Sequence, residues 1–238
     1  MSALPISARL LLSYLLVAVL PLAGLAAFYL VSFESSLRET VLENIATIAD
    51  KKAEQIDSYI AERLADTRLL SQRDSVLDGM TTLMPLFRTG GLKTPAYQSA
   101  ARQLNDYLMA SSAVEDFYDL LLIDTAGNVV FSLKQEPDLG TNLMQGPYRH
   151  TQLAKGYALA MQTLQTHLSR FALYPPSGNQ PAAFLVAPVL DKGVVIGALA
   201  LQLDIKKLES VTADRTGLGR TGETLLAQQD AHHLPCHA

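Results

Sequence analysis

The sequence predicts an α+β protein anchored by one transmembrane helix, and three features carry this prediction. An uncharged apolar run lies near the start, a stretch without glycine or proline follows, and short apolar runs separated by turn residues fill the second half. Of the 238 residues, 49% are hydrophobic and 18% are charged, and the mean hydropathy is +0.16. Because soluble domains carry roughly 25% charged residues, this composition favours a membrane segment joined to one further domain.

The apolar run extends from Leu10 to Phe33 and predicts a transmembrane helix over residues 10–33. Its 24 residues would measure about 36 Å as a helix, which exceeds the ~30 Å hydrocarbon core of a bilayer. A cleaved signal peptide is the alternative, since residues 23–27 are small, but the apolar region of a signal is usually about 7–15 residues long. Arg9 precedes the run, so the positive-inside rule keeps residues 1–9 in the cytoplasm and sends the bulk of the chain across the membrane.

Residues 34–78 predict a long helix, because they contain neither glycine nor proline. Apolar residues recur there at steps of three and four, at Leu37, Val41, Ile45, Ile48, Ile56, Ile60 and Leu64. A continuous helix of this length would reach about 67 Å, whereas the average globular helix has about 11–12 residues. Two roles stay open: a stalk that pairs with a second copy, or an amphipathic helix that lies on its own domain.

The residues beyond the stalk predict a compact α+β module. Pro85, Gly90-Gly91 and Pro95 predict that the long helix ends within residues 80–96. Gly127 and Asn128 are expected to supply the positive φ angles of a β-hairpin turn. We predict, in order, a helix over 97–110, strands over 118–123 and 129–133, a helix over 150–162, strands over 167–174, 182–190 and 194–204, and a closing helix over 205–213. This order predicts a five-stranded antiparallel sheet and is that of a PAS-like sensory module.

Several segments then resemble a known family of sensors. They include Gly140-Thr-Asn-Leu143, Gly146-Pro-Tyr-Arg149, Gly217-Leu-Gly-Arg-Thr-Gly-Glu-Thr224 and the strand residues 119–132, 174–178, 181–189 and 196–203. Together they resemble the extracytoplasmic sensor of bacterial receptors with a double Cache domain, as in methyl-accepting chemotaxis receptors and some histidine kinases and cyclases. The resemblance implies a membrane-distal sensor module over residues 79–216, a homodimer formed through the stalk helix, a small-molecule ligand, and a place in the bacterial inner membrane with the bulk in the periplasm.

The last residues depart from that family. The resemblance implies that residues 217–238 begin a second module, yet residues 231–238 show neither strand alternation nor a helical period. We therefore expect a receptor truncated before its second module, its second membrane helix and its output domain.

A ligand pocket in such a module is expected between the sheet and the connector loops. The polar residues expected to face it are Tyr148, Arg149, Tyr174, Asp119 and Asp191, of which Arg149 is suited to bidentate pairing with a carboxylate. The alternative for each is a turn or surface residue that is satisfied locally. Amino-acid-binding members of the family carry a signature that includes tryptophan, and because this chain has none, that ligand class is not supported.

Composition and spacing also exclude several functions. A net charge of −4 argues against a nucleic-acid partner. His232, His233, Cys236 and His237 resemble metal ligands, but they lie on a short tail without a scaffold, so we predict no metal site. We also find no catalytic constellation and no cofactor motif, and so predict that the chain is not an enzyme. A membrane-anchored binding protein and a structural adaptor that uses the stalk alone remain as rivals.

Overall fold

The structure is a computed structural model that describes residues 6–110, 114, 116–218 and 223–225. Two compact units are distinguished. The first contains the described residues up to Ala53 and those between Arg215 and Thr224, and the second contains Glu54–Asp214 and Leu225. The metal-like residues predicted in the tail, at 232–237, lie outside the described residues.

The first helix, α1, extends over Ile6–Ser71. Among the described residues it is the one helix whose length and composition suit a membrane span. It is continuous from the apolar run into the stalk, as predicted, but it ends at Ser71 and not at Asp78. The helix is interrupted there because Arg73 adopts an extended backbone conformation (φ −73°, ψ 141°), and helix α2 begins at the next residue, Asp74.

Helix α2 extends over Asp74–Gly90 and contains Pro85 in its interior. We predicted that the helix would end within residues 80–96, and α2 does end there, at Gly90, although Pro85 itself does not end it. Both Pro85 and Thr81, whose carbonyl would have accepted the missing N–H, are exposed, so water can satisfy the carbonyl and the helix continues. Helix α3 follows over Pro95–Met109, with the Thr94 hydroxyl accepting the Tyr97 N–H at 3.4 Å as its cap.

The remaining elements form the predicted α+β module. They are β1 (Phe117–Asp124), β2 (Val129–Ser132), α4 (Gln152–Thr163), β3 (His167–Leu168), β4 (Ala172–Tyr174), β5 (Gln180–Ala182), β6 (Phe184–Asp191), β7 (Val194–Leu203) and α5 (Ile205–Ala213). Five strands form an antiparallel sheet in the order β2-β1-β7-β6-β3, which confirms the predicted fold class. Strands β4 and β5 pair separately.

The strand predicted over residues 167–174 is therefore split into β3 and β4. Ser169 explains the break. Its N–H donates to the Phe184 carbonyl, and its hydroxyl accepts the Phe184 N–H at 2.9 Å, in the place that a backbone carbonyl would otherwise take. The ladder ends at this residue because a side chain has replaced the next backbone partner.

The hairpin turn between β1 and β2 also differs in one detail from its prediction. Gly127 has a φ of +86°, whereas Asn128 does not have a positive φ. Asn128 instead donates its backbone N–H to Asp124 Oδ1 at 2.9 Å and its amide to Asp124 Oδ2 at 3.0 Å. Asp124 thus fixes the turn through its side chain.

The sheet is buried on both faces. Helices α2 and α3, with Leu70 of α1, cover the face that carries Leu120, Leu122 and Leu199. Helix α4 and the β4–β5 segment cover the face that carries Leu121, Ile123 and Ala200. We call the latter the α4 face.

One margin of the sheet is shaped by a proline. The Leu203 N–H donates to the Ala183 carbonyl, and the register of β6 with β7 follows from this bond. Odd-numbered residues of β6 therefore form their backbone hydrogen bonds with β7, and even-numbered residues face β3. The nitrogen of Pro188 thus lies on the β3 side. Strand β3 pairs only with Leu185 and Val186, and it stops short of Pro188.

Candidate functional site

A group of polar side chains lies among the apolar residues of the α4 face. We call it the polar cluster, and its members are Tyr118, Asp119, Ser132, Glu136, Asp138, Tyr174, Ser177 and Gln202. Asp119 of β1 pairs directly with Gln202 of β7, and Asp119 lies on the same side of its strand as Leu121 because side chains alternate. Strand pairing therefore builds the floor of the cluster, while the connector after β2 and the β4–β5 segment supply the rest.

Asp119 forms the floor of the cluster on β1. It is 1% exposed and accepts three hydrogen bonds, from the Leu120 N–H at 2.7 Å, the Ser132 hydroxyl at 2.8 Å and the Lys134 N–H at 2.9 Å. Burial nevertheless raises the pKa of Asp119 to about 7, against the lowering effect of these donors. The carboxyl group can therefore change charge near neutral pH.

Asp138 and Tyr174 form a second buried pair in the cluster. The Tyr174 hydroxyl donates to Asp138 Oδ2 at 2.5 Å, and the two residues are 2% and 1% exposed respectively. The other oxygen, Asp138 Oδ1, is buried without a hydrogen-bond partner. Burial raises the pKa of Asp138, and burial followed by the Asp138 charge raises the pKa of Tyr174, so the phenol stays protonated.

Glu136 joins the two ends of the cluster. Its Oε1 accepts the Tyr118 hydroxyl at 2.8 Å, and its Oε2 accepts the Ser177 hydroxyl at 2.6 Å. Ser177 in turn accepts the Gln202 amide at 3.1 Å. The bond to Glu136 is the largest cause that raises the pKa of Tyr118 to about 12.

The structure brings together only part of the predicted site. Asp119 and Tyr174 are both in the polar cluster, and the half-buried ring of Tyr148 lies 6.5 Å from that of Tyr174. Arg149 is exposed and donates to the Gly146 carbonyl at 3.4 Å within its own loop. Asp191 pairs with Val194 at the β6–β7 turn, about 26 Å along β7 from Gln202 at ~3.3 Å per residue.

Sequence reasoning missed the other six members of the cluster: Tyr118, Ser132, Glu136, Asp138, Ser177 and Gln202. Gln202 carried a visible signal, since it is the polar residue in the otherwise apolar end of β7. Glu136 and Asp138 lie in a connector that reads as an ordinary polar loop, so no periodicity marks them.

A cavity of about 300 Å³ touches the cluster at Ser132 alone. Its lining residues Tyr97, Ala101 and Phe131 belong to the core on the α2–α3 side of the sheet, opposite the α4 face. Within the described part of the chain, no three His, Cys, Asp or Glu residues are arranged to hold a metal ion. Three carboxylates backed by hydroxyl donors make the cluster an acceptor for positively charged or N–H-rich groups.

Comparison with known proteins agrees with this architecture. The family model described as Cache domain matches residues 33–233. No curated protein matches the chain.

Several solved sensor domains are similar to this chain at low sequence identity. The sensor domain of the Vibrio cholerae histidine kinase DctB is 19% identical with a TM-score of 0.55, over 74% of this chain and 61% of that domain. The sensory domain of the Campylobacter jejuni chemoreceptor Tlp3 is 15% identical with a TM-score of 0.49, over 76% and 67%. The ligand-binding domain of the Pseudomonas fluorescens chemoreceptor CtaA in complex with L-serine is 16% identical with a TM-score of 0.46, over 71% and 61%. The chain thus spans about three fifths of the DctB domain. The family match covers most of the sequence, and the chain belongs to the Cache domain family of receptor sensor domains.

Proposed function

We propose that the chain is the extracytoplasmic small-molecule sensing part of a bacterial transmembrane receptor of the chemotaxis type. One observation carries the proposal: the α4 face holds a buried polar cluster that includes a carboxylate oxygen without a partner. A core kept only for stability satisfies its buried polar groups, because each unpaired one costs about 1–3 kcal/mol. A ligand-binding site can keep an unpaired polar atom, because the ligand supplies the missing hydrogen bond.

The arrangement in the membrane supports the same proposal. Helix α1 continues from the apolar run into the stalk without a break at Phe33, so a shift in the module can bias a helix that reaches the bilayer. We propose that residues 1–9 are cytoplasmic, that the chain crosses the inner membrane once, and that the module lies in the periplasm as a homodimer joined by its stalk.

A second candidate is the sensor part of a histidine kinase. The fold likeness to the DctB sensor domain favours it, since the same module serves as the input of a kinase there. A nucleotide cyclase sensor and a membrane-anchored binding protein without signalling output are further alternatives, because a shared fold does not decide the output.

A ligand screen on the full chain tests the sensing proposal. We would purify the chain in detergent and measure its melting temperature against amino acids, amines, organic acids and sugars. A ligand at about 100 times its dissociation constant stabilises the folded state by about 2.7 kcal/mol, so we expect at least one saturable upward shift. Glu136→Gln should weaken that shift, whereas Asp191→Asn, at the far turn, should not. A screen in which no compound shifts the melting temperature would argue against sensing.

A further inference from the structure

A buried arginine lies where the stalk helix meets the sheet. The Arg63 side chain of α1 is 8% exposed, and its Cζ lies 5.6 Å from the centre of the Tyr59 ring and 5.5 Å from the centre of the Phe117 ring. Ile60 and Leu70 of the same helix pack against the apolar core of the module. A charge buried beside them is costly unless it is paired, so the partners of Arg63 decide what this contact can do.

Asp116 is the partner that connects Arg63 to a second helix. It lies directly before β1, and its Oδ2 accepts a hydrogen bond from Arg63 Nη1 at 2.7 Å. Its Oδ1 accepts a hydrogen bond from Lys207 Nζ of α5 at 2.6 Å. The sheet brings these groups together, because Phe117 at the start of β1 pairs with Leu203 at the end of β7, and α5 follows directly. One carboxylate therefore joins the helix that enters the module to the helix that follows its last strand.

The hydrogen bonding of this contact is incomplete. Arg63 Nη2 lies 3.0 Å from Glu62 Oε1 and 3.1 Å from Asp66 Oδ2, both on its own helix. Among the described residues, however, Arg63 Nε and the Tyr59 hydroxyl are buried without a hydrogen-bond partner. A contact kept for stability alone would satisfy both atoms, because each buried unpaired polar group costs free energy. The contact is thus less complete than that of a helix fixed permanently in one place.

The two halves of the contact differ in their exposure to solvent. The side chains of Asp116 and Lys207 are 38% and 51% exposed, whereas that of Arg63 is buried. The bond from Lys207 is the largest cause that lowers the pKa of Asp116, so this carboxylate stays charged at neutral pH. An exposed ion pair forms and breaks at little cost, whereas a buried one holds its partners together. The Arg63 bond is therefore the half that holds α1 against the start of β1.

An apolar contact would hold α1 as firmly, since buried ion pairs are often no more stabilising than apolar residues of the same volume. The better-attested use of such a pair is to fix the register of one element against another. Resting on the sensor function proposed above, we propose that Asp116 is a positioning residue, which sets the place of the stalk helix against the sheet through Arg63 and couples it to α5 through Lys207. Opening of the Asp116–Arg63 bond frees α1 to shift.

Distances between two spin labels test this proposal without a ligand. The one cysteine of the chain is first replaced, as Cys236→Ser. Labels are then attached at Ser58→Cys of α1 and Val194→Cys of β7, which are both exposed positions. The full chain is measured in detergent by pulsed electron paramagnetic resonance, diluted with unlabelled chain so that each distance arises within one molecule. Asp116→Asn should shift this distance by about 1–2 Å or give a second distance, as helix displacements in conformational transitions do.

Two further variants separate positioning from simple stabilisation. Arg63→Met keeps the length and the apolar body of the side chain, and it should give the same shift as Asp116→Asn. The double variant should shift no further than either single variant, because both remove the same bond. Glu209→Gln is the matched control on α5, since it removes an exposed carboxylate that forms no ion pair within the described part of the chain. It should keep the wild-type distance.

Three results would overturn the proposal. The first is an unchanged distance in both single variants while circular dichroism shows a folded module, because the ion pair then only stabilises. The second is a pair of shifts that add in the double variant, and the third is loss of the fold in both single variants. If only one of them folds, its distance decides. No ligand enters these measurements, so the ligand screen decides the sensor function separately.

Discussion

Asp119 shows how a single buried carboxyl group connects the fold to pH. Its three donors come from β1, β2 and the connector after β2, so the group ties these segments together. Burial outweighs the donors and raises its pKa to about 7, compared with about 3.9 in an unfolded chain. Between these two values the folded state binds more protons than the unfolded state does.

We therefore predict that the protein loses stability as the pH rises from about 4 to above 7. The contribution of Asp119 to the free energy of unfolding is fully present below its unfolded pKa and is lost as the pH rises through its folded pKa. The loss amounts to roughly 4 kcal/mol, because each unit of pKa difference corresponds to about 1.4 kcal/mol. Asp119→Asn imitates the protonated group, because the Ser132 hydroxyl can turn to accept from the new amide. Its melting temperature should fall less between pH 5 and pH 8.5 than that of wild type.

Burial also raises the pKa of Asp138 in the same cluster, so the informative quantity is the difference between the wild-type and variant curves. Asp191→Asn is the control and should follow wild type. Parallel curves for wild type and Asp119→Asn would refute the assignment to Asp119.

At the same scale, the sequence allowed only part of the site to be predicted. Asp119 and Tyr174 could be predicted because each lies in a recognisable strand or at a strand end. Asp138 was not, since its burial depends on the return of the connector over the sheet, a tertiary contact between residues 36 positions apart. Arg149 shows the converse: its residue type suited ligand binding, but the structure leaves its side chain exposed in a turn.

At the scale of elements, strand β7 depends on a residue without a side chain. Gly197 has a φ of +157°, lies opposite Asp124 of β1 and Val189 of β6, and would direct a Cβ into the Ile123 carbonyl and the Met80 side chain. Strands β1 and β7 and helix α2 approach one another this closely only because residue 197 has no Cβ.

We predict that Gly197→Ala destabilises the fold by more than about 3 kcal/mol, since both backbone strain and overpacking act at one site. Gly193→Ala is the matched control. Gly193 has a φ of +82° and open space around it, so this variant should lose only about 1–2 kcal/mol. Urea unfolding followed by circular dichroism measures both values. Similar losses would show that the close approach contributes little.

Most elements were predictable because their signals are local. Hydrophobic periodicity located α3, α5 and the long strands, and turn residues separated them. The exceptions were decided by local hydrogen bonding that periodicity does not report. Ser169 ends β3 with its hydroxyl, and the exposed position of Pro85 lets α2 pass through a residue that usually ends helices.

At the scale of the whole molecule, substitutions in the stalk test the proposed dimer. Leu37, Val41 and Ile45 are each about half exposed and lie on one side of α1. We predict that Val41→Glu with Ile45→Glu weakens self-association at least about tenfold, because burying each side chain is worth about 1.5–3 kcal/mol. Thr47→Glu, on the other side of the helix, should have little effect. Sedimentation in detergent measures the association, and a monomeric wild type would favour the alternative in which the helix packs on its own domain.

For the membrane receptor proposed above, the proline in β6 has a further consequence. Membrane receptors diffuse in two dimensions and meet often, so a free strand edge with unpaired donors and acceptors would invite polymerisation between neighbours. Pro188 removes a donor at the point where β3 no longer shields β6. The margin of the sheet beside Pro188 therefore offers an incomplete row of donors for strand pairing, and in the proposed receptor it is the stalk helices that would bring two copies together.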